Sequence, residues 1–495
     1  MSATTPLRIL FATPEAAPWV KTGGLGDVSA ALPAALAEAG LDVRVLLPAY
    51  PALVAAFPAR TVLAQVERPG GELLPATISR VQLQPRLELL LVECPAYYER
   101  HGGPYQDRSG HDWPDNALRF GLLSRLAALL ASNETPLDWR PDVLHCNDWQ
   151  AALAPAYLRY RHEPVAATIT TIHNLAFQGL FPMARLHALD LPVAAMAIDG
   201  VEFHGKISFL KAGLQHSDRL TTVSPTYARE ICEPAHGFGL DGLLRHRRDR
   251  RSGDLVGILN GIDTREWDPA TDRSIAARYS ARSLALKQLN RAALGERLGL
   301  ALQAETPLLG MISRITSQKG ADLVIEAAPE LLARGARLAV LGSGDVGLEA
   351  RWRALAGRHP DRIAVQIGFD EALAHLIEAG ADMFLMPSRF EPCGLNQMYS
   401  LAYGTPPVVR ATGGLADTVV DCTPEALADG SANGFSFGPP TAGALLAAID
   451  RAIELWRDPD AWRRLQRSGM ARDWGWGAAA RQYADLYRSC LRDAQ

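Results

Sequence analysis

The sequence predicts an α/β protein of two domains, each a doubly wound parallel sheet, within a chain of 495 residues. Three observations lead there. Short apolar runs alternate with longer Ala/Leu-rich stretches of helical character, the pattern of parallel strands joined by crossover helices. That alternation lapses near residue 263 and resumes after residue 300, and the length suits two cores better than one or four. A glycine turn behind an apolar run occurs twice, as Lys21-Thr22-Gly23-Gly24-Leu25-Gly26-Asp27 and as Thr412-Gly413-Gly414-Leu415-Ala416-Asp417. Two such loops, one per domain, are expected to face one cleft.

The first strand is read over Leu7 to Ala12, and the Lys21 loop leads from it into a helix over Val28 to Ala39. Pro33 falls inside that helix, so either the axis kinks there or the helix begins later. Further strands are expected at Val43 to Leu47, Leu87 to Val92, Val143 to His145, Ala167 to His173 and Arg219 to Val223. Asn260-Gly261-Ile262-Asp263, followed by the polar stretch Asp268 to Asp272, reads as the hinge. Beyond it come Pro307 to Ser313, Arg337 to Leu341, Ile363 to Ile367, Met383 to Pro387 and Pro407 to Arg410. The tail from Trp474 to Leu491 carries Trp474, Trp476, Tyr483 and Tyr487 at a spacing suited to a helix packed on the body. The expected domains are therefore 1–263, 264–473 and a terminal helix, 474–495.

Composition narrows the function. With 50 basic against 54 acidic residues the formal charge is −4, which leaves no surplus to attract nucleic acid or anionic lipid. The one basic cluster, Arg245 to Arg248 with Arg250 and Arg251, sits beside Asp249 and Asp254 and reads as a solvated loop. Six cysteines are scattered without a CxxC, so neither a disulfide framework nor a zinc site is indicated. The start, Met1 through Pro6, runs straight into a strand without the regions of a signal peptide, and no apolar stretch is long enough to span a bilayer. A cytoplasmic protein is expected.

Ligands of open parallel sheets bind beyond the carboxyl ends of the strands, so polar residues just past each apolar run matter most. These are Asn147-Asp148-Trp149, His173-Asn174, Ser313-Arg314 with Lys319, and Ser388-Arg389-Phe390-Glu391. Lys21, Arg314 and Lys319, with amides at Gly23, Gly24 and Gly394, can neutralise a diphosphate without a metal. A Mg²⁺ site would need clustered carboxylates, and Asp148 and Glu391 fall in different predicted domains. Each residue also has a plainer reading. His173 suits a core histidine bonded to backbone, Cys393 a small buried hydrophobe, and Arg314 and Lys319 suit pairing with Asp322 or Glu326 on the next helix.

Longer strings add a resemblance. Lys21 to Leu25, Thr171-Ile172-His173-Asn174-Leu175-Ala176-Phe177-Gln178-Gly179, Asn260 to Asp263, and Ser388-Arg389-Phe390-Glu391-Pro392-Cys393-Gly394-Leu395 resemble bacterial glycogen synthases and plant starch synthases. So do Pro104-Tyr105-Gln106, Asp115 to Phe120 and the terminal aromatics. The resemblance implies two Rossmann-like domains of the GT-B type with a cleft between them. It implies transfer of glucose from ADP-glucose to the non-reducing 4-hydroxyl of an α-1,4-glucan such as glycogen, with retention and without a cofactor. Lys21 would meet donor phosphate, Arg314 and Lys319 would clamp the diphosphate, and Glu391 would hold donor glucose hydroxyls. Cys393, Gly394 and Leu395 would line the donor site, as would Gly23, Gly24 and Asn260. His173 would lie under the anomeric carbon, Asp148 would hold a sugar hydroxyl, and Asp27 and Tyr105 would face the acceptor. The terminal helix would return to the first domain.

Some positions depart from the family pattern. Phe369 stands where a tyrosine is usual beside adenine, Asn396 where a threonine is expected, and Asn147 and Gln150 replace histidines around Asp148. Two other readings stand beside the main one: a transferase that uses UDP-glucose or a small acceptor, and a catalytically silent glucan-binding homologue.

Overall fold

The computed structural model describes residues 6–250 and 254–493. Arg251 of the basic cluster and residues 1–5 of the predicted leaderless start lie outside the described residues. The chain divides into two compact units, one running to Asn260 and taking in the terminal segment from Trp476, the other spanning Gly261–Gly475.

The first unit is built on a nine-stranded sheet. Its strands are β1 (Arg8–Ala12), β2 (Asp42–Pro48), β3 (Thr61–Val66), β4 (Ala76–Gln84), β5 (Leu87–Glu93), β6 (Val143–Asn147) and β7 (Ala167–Ile172). A small antiparallel sheet of β8 (Leu180–Pro182), β9 (Glu202–Phe203) and β10 (Lys206–Ser208) interrupts the series before β11 (Arg219–Thr222) and β12 (Leu255–Gly257) complete it. The large sheet has the order β12-β11-β7-β6-β1-β2-β5-β4-β3. Seven strands run parallel, while β4 pairs antiparallel with β5 and β3 antiparallel with β4. The fully buried runs of β6 and β7, with helices on the sheet, are what a central parallel strand requires. The strands β3 and β4 escape a reading based on apolar runs because β3 is a half-exposed edge strand and β4 interleaves polar residues from Thr77 to Gln84.

Several local expectations are revised. The helix after β1 begins at Gly24 and runs to Glu38 with Pro33 inside it, so it starts earlier, at the glycines themselves. The basic cluster lies on a helix, Asp241–Arg250, and its Arg247 is buried. That guanidinium donates to the carbonyls of Leu214 and Ser217 at 2.7 Å and faces Asp254, so it staples the unit and is not solvated. The terminal helix is Gly477–Asp493, preceded by Trp474 and Trp476. It packs on the helix Gly24–Glu38, and Tyr487 bonds Nδ1 of the buried His145 at 2.8 Å.

The second unit carries one six-stranded parallel sheet: β13 (Leu308–Ile312), β14 (Arg337–Gly342), β15 (Ile363–Ile367), β16 (Met383–Met386), β17 (Pro407–Arg410) and β18 (Phe435–Phe437). The order is β15-β14-β13-β16-β17-β18. The polar stretch from residue 264 is packed firmly on this unit, with Trp267 stacked between His375 and Tyr399 at 4.0 and 3.9 Å. Among the described residues no helix is long and apolar enough to cross a membrane.

Candidate active site

In both sheets the strand order reverses beside the first strand, between β6 and β1 in one unit and between β16 and β13 in the other. The crevice beyond the carboxyl ends at such a reversal is where open α/β sheets take ligands. Most of the candidate residues stand at or beside these two places, whereas Asn260 follows the edge strand β12 and Phe369 the edge strand β15.

In the first unit β1 ends into Thr13-Pro14-Glu15, and β6 ends at Asn147 beside Asp148. Asp148 adopts a left-handed backbone, φ 54°, and turns its carboxylate back onto β7. There it accepts the amides of His173 at 2.7 Å and Asn174 at 3.3 Å. Burial pushes the Asp148 carboxyl up to about 7 despite those amides. Burial also lowers His173 to about 3, so the ring is neutral. His173 Nε2 lies 3.0 Å from Oδ1 of Asn147, and an amide oxygen only accepts, so the ring proton is on Nε2. The partner of His173 is thus a side chain, in addition to the carboxylate on its amide. Asn147 in turn donates to the Ala12 carbonyl, which ties the ends of β1, β6 and β7 together.

The Lys21 loop follows. Lys21 Nζ sits 2.7 Å from Asp27 on the first turn of the helix, both partly exposed. The amide of Thr22 donates to Glu15 Oε2 at 2.6 Å, its hydroxyl donates to the same carboxylate, and the Gly23 amide also stabilises it. Tyr105 donates its hydroxyl to Glu15 Oε1 at 2.6 Å. The anion that a glycine turn at a helix start attracts is therefore, at these amides, a side chain of the chain itself. Glu15 is a site residue that the strand-end reading missed, although it too stands just past an apolar strand. Asn260, a buried residue at the end of this unit's main segment, has a side-chain oxygen with no hydrogen-bond partner among the described residues.

In the second unit Lys319 follows β13 and Glu391 follows β16. Lys319 Nζ lies 2.5 Å from Glu391 Oε2, so the pair spans the reversal of the sheet. Ser388 donates to the same oxygen at 3.0 Å. Arg314 is exposed and donates to Gln318 at 3.1 Å. Asp322, an expected partner of these cations, is taken by Arg389 in a two-pronged pair at 2.8 Å. A guanidinium fork matches a carboxylate better than an ammonium does, which leaves Lys319 to Glu391. Asn396 donates to the Ile312 carbonyl at 2.7 Å, fixing the helix Asn396–Ala402 to the end of β13. Gly394, at φ 72°, makes the turn into that helix, with buried Cys393 before it and Leu395 after it.

The second glycine loop does a different job from the first. The Gly414 amide donates to the carbonyls of Glu391 and Pro392 at 3.2 Å, and a Cβ on Gly413 would fall 1.9 Å from the Glu391 oxygen. These glycines let the loop press against the Glu391 turn. Phe369 is 82% exposed and presents a free ring face. As for metals, Glu266, Glu371 and His375 bring ligand atoms within 4.8 Å, but His375 Nδ1 is held by Asp272 at 2.8 Å.

Comparison with known proteins places this geometry. Residues 8–246 match the starch synthase catalytic domain, and residues 297–468 match the glycosyl transferases group 1 domain. Glycogen synthase of Dechloromonas aromatica is 58% identical over 98% of this chain and 99% of its own length. The chain belongs to the glycogen and starch synthase family. Glycogen synthase of Aromatoleum aromaticum is 56% identical over 97% of this chain and 96% of its own length. Among solved structures, the catalytic domain of starch synthase IV from Arabidopsis thaliana, bound to ADP and acarbose, superposes with a TM-score of 0.86 at 31% identity. It covers 99% of this chain and 100% of that one. The two Rossmann-like units are thus the GT-B fold of this glycosyltransferase family.

Proposed function

We propose that this member of the glycogen and starch synthase family transfers glucose from ADP-glucose to the non-reducing 4-hydroxyl of an α-1,4-glucan, with retention. The reading is carried by the Lys319–Glu391 pair at the strand reversal, in a chain whose full-length relatives are glycogen synthases. The solved starch synthase with ADP and acarbose supports a nucleotide donor and a glucan acceptor.

On this reading Arg314 and Lys319 meet the diphosphate, and Lys21 meets donor phosphate during turnover. Their charge is matched best when the glucose–phosphate bond has lengthened, so they stabilise the departing ADP more than bound ADP-glucose. Glu391 accepts hydroxyls of the donor glucose while its charge keeps Lys319 extended toward the phosphates. Cys393, Gly394 and Leu395 line the same turn, and Phe369 offers its face to adenine. Neutral His173 adds no positive charge beside an anomeric carbon that is itself becoming positive. Asp148 is set to hold a sugar hydroxyl, and Asp27 and Tyr105 serve the acceptor. Retaining glycosidases place two carboxylates about 5 Å apart. Glu391 is instead committed to an ammonium and a serine hydroxyl, which suits transfer on one face with the leaving phosphate taking the acceptor proton.

The protein acts in the cytoplasm on soluble donor and glucan. Incubation with ADP-glucose and a maltooligosaccharide tests the reading. A ladder of longer chains with new α-1,4 linkages by NMR, and ADP released in step, is expected. ADP-glucose left intact, or a product of another linkage, overturns it.

A further inference from the structure

Glu15 is buried at 2% exposure, yet its carboxylate collects the amide and hydroxyl of Thr22 and the hydroxyl of Tyr105. Thr22 belongs to the loop that carries Lys21. Tyr105 belongs to a separate segment, 90 residues along the chain from Glu15. We propose that Glu15 is a positioning residue that locks the Lys21 loop and Tyr105 to each other, so that the donor-phosphate lysine and the acceptor-facing tyrosine are set by one carboxylate.

The chemistry of the cluster supports this. Every group around the carboxylate is a donor, and a carboxylate is the side chain that offers two acceptor oxygens with no proton of its own. Glutamine replaces it poorly: with its oxygen kept on the Thr22 amide its N–H faces Tyr105, whose hydroxyl must turn from donor to acceptor, and the charge that strengthens every bond of the clamp is gone. The clamp is then looser, and the loosened loop places Lys21 less well. A displacement of about 1 Å in a positioning element can lower turnover about a hundredfold. The inference rests on the functional reading above, and its consequences extend to both substrates: loss of Glu15 impairs use of donor and acceptor together, although it touches neither.

The test uses the full chain with Glu15→Gln, and with Thr22→Val and Thr22→Ser, which alter the exposed end of the clamp without opening the interior. Two readouts are taken. Hydrogen exchange by mass spectrometry is measured on peptides covering residues 15–24 and 99–116, and kcat and KM are measured for ADP-glucose and glycogen. Glu15→Gln is expected to speed exchange in both segments at once and to lower kcat at least about tenfold. Thr22→Val is expected to do the same more weakly and Thr22→Ser to restore the wild-type values. ADP affinity by calorimetry should stay within about threefold, since Arg314 and Lys319 are untouched. Exchange that changes in only one segment, or unchanged kcat with faster exchange in both, overturns the proposal. So does a Glu15→Gln variant that loses thermal stability alone. A wild-type protein inert toward ADP-glucose counts against the functional reading, while the exchange data still decide whether the clamp exists.

Discussion

The Lys319 ammonium and the Glu391 carboxylate lie 2.5 Å apart, on loops that leave neighbouring strands at the point where the second sheet reverses its order. On the proposed function the pair offers its cation to phosphate and its carboxylate to sugar hydroxyls. Lys319→Ala and Arg314→Ala are each expected to lower kcat by about 10²–10³, the usual effect of removing one preorganised donor from a developing negative charge. Glycogen binding should barely change. Turnover near wild type at saturating donor in either variant would contradict the clamp.

Lys21 belongs to the first unit, and the two clamp cations to the second. We therefore expect Lys21→Ala to bind ADP almost normally and to lose most catalysis. Isothermal calorimetry with ADP, set beside kcat, separates the two effects. An affinity for ADP that collapses with Lys21 would instead make it a ground-state nucleotide ligand.

On the proposed function three cations meet the diphosphate, which then needs no divalent ion. Activity should survive EDTA essentially unchanged. Loss on chelation, restored by Mg²⁺ or Mn²⁺, would require rebuilding the site around a metal.

Asp148 gives a pH dependence with a definite sign. Its carboxyl is raised from 3.8 to about 7 by burial, so in that interval the folded protein holds the proton more tightly than the unfolded chain. Its contribution to stability is therefore greatest in acid and is lost as pH rises toward about 7, by at most about 1.4 kcal/mol per unit. Asp148→Asn removes this titration and keeps an oxygen to accept the His173 amide. Relative to wild type, the variant should gain stability steadily between about pH 4 and pH 7 in urea titrations. A constant difference across that range would show that Asp148 titrates normally.

The terminal helix is anchored by Tyr487 on His145, which burial keeps neutral with a value of about 3. Tyr487→Phe leaves a buried ring nitrogen without its partner, at a cost of about 1–3 kcal/mol. Chemical denaturation measures it. An unchanged midpoint would mean the hydroxyl contributes no net stability.

Much of this was legible in the sequence because strands with continuous apolar runs announce themselves, and in an open parallel sheet the residues after them are where ligands bind. That rule alone selects Asp148, His173, Lys319 and Glu391 as candidates, and the fold sets each of them beyond the carboxyl end of a strand. What was not legible depends on contacts far apart in the chain. Glu15 stands after β1 as plainly as Lys21 does, but its role appears only when Tyr105 is brought to it. Asp322 is a sensible neighbour for Lys319 by helical spacing, and only the fold delivers Arg389 to it first. The strands β3 and β4 fail to show as apolar runs because β3 lies half exposed at the sheet edge and β4 interleaves polar residues among its apolar ones. The second glycine loop shares its string with the first, yet the groups around it differ: its glycines press against the Glu391 turn, whereas in the first loop the Gly23 amide meets the Glu15 carboxylate.

The most direct test of the account is transfer of radiolabelled glucose to glycogen from ADP-glucose and UDP-glucose in parallel, with the label then released by an enzyme specific for α-1,4 chains. The account predicts strong incorporation from ADP-glucose, little from UDP-glucose, and full release of the label. Equal or greater incorporation from UDP-glucose would contradict the assigned donor, and no incorporation from either would contradict the catalytic reading itself.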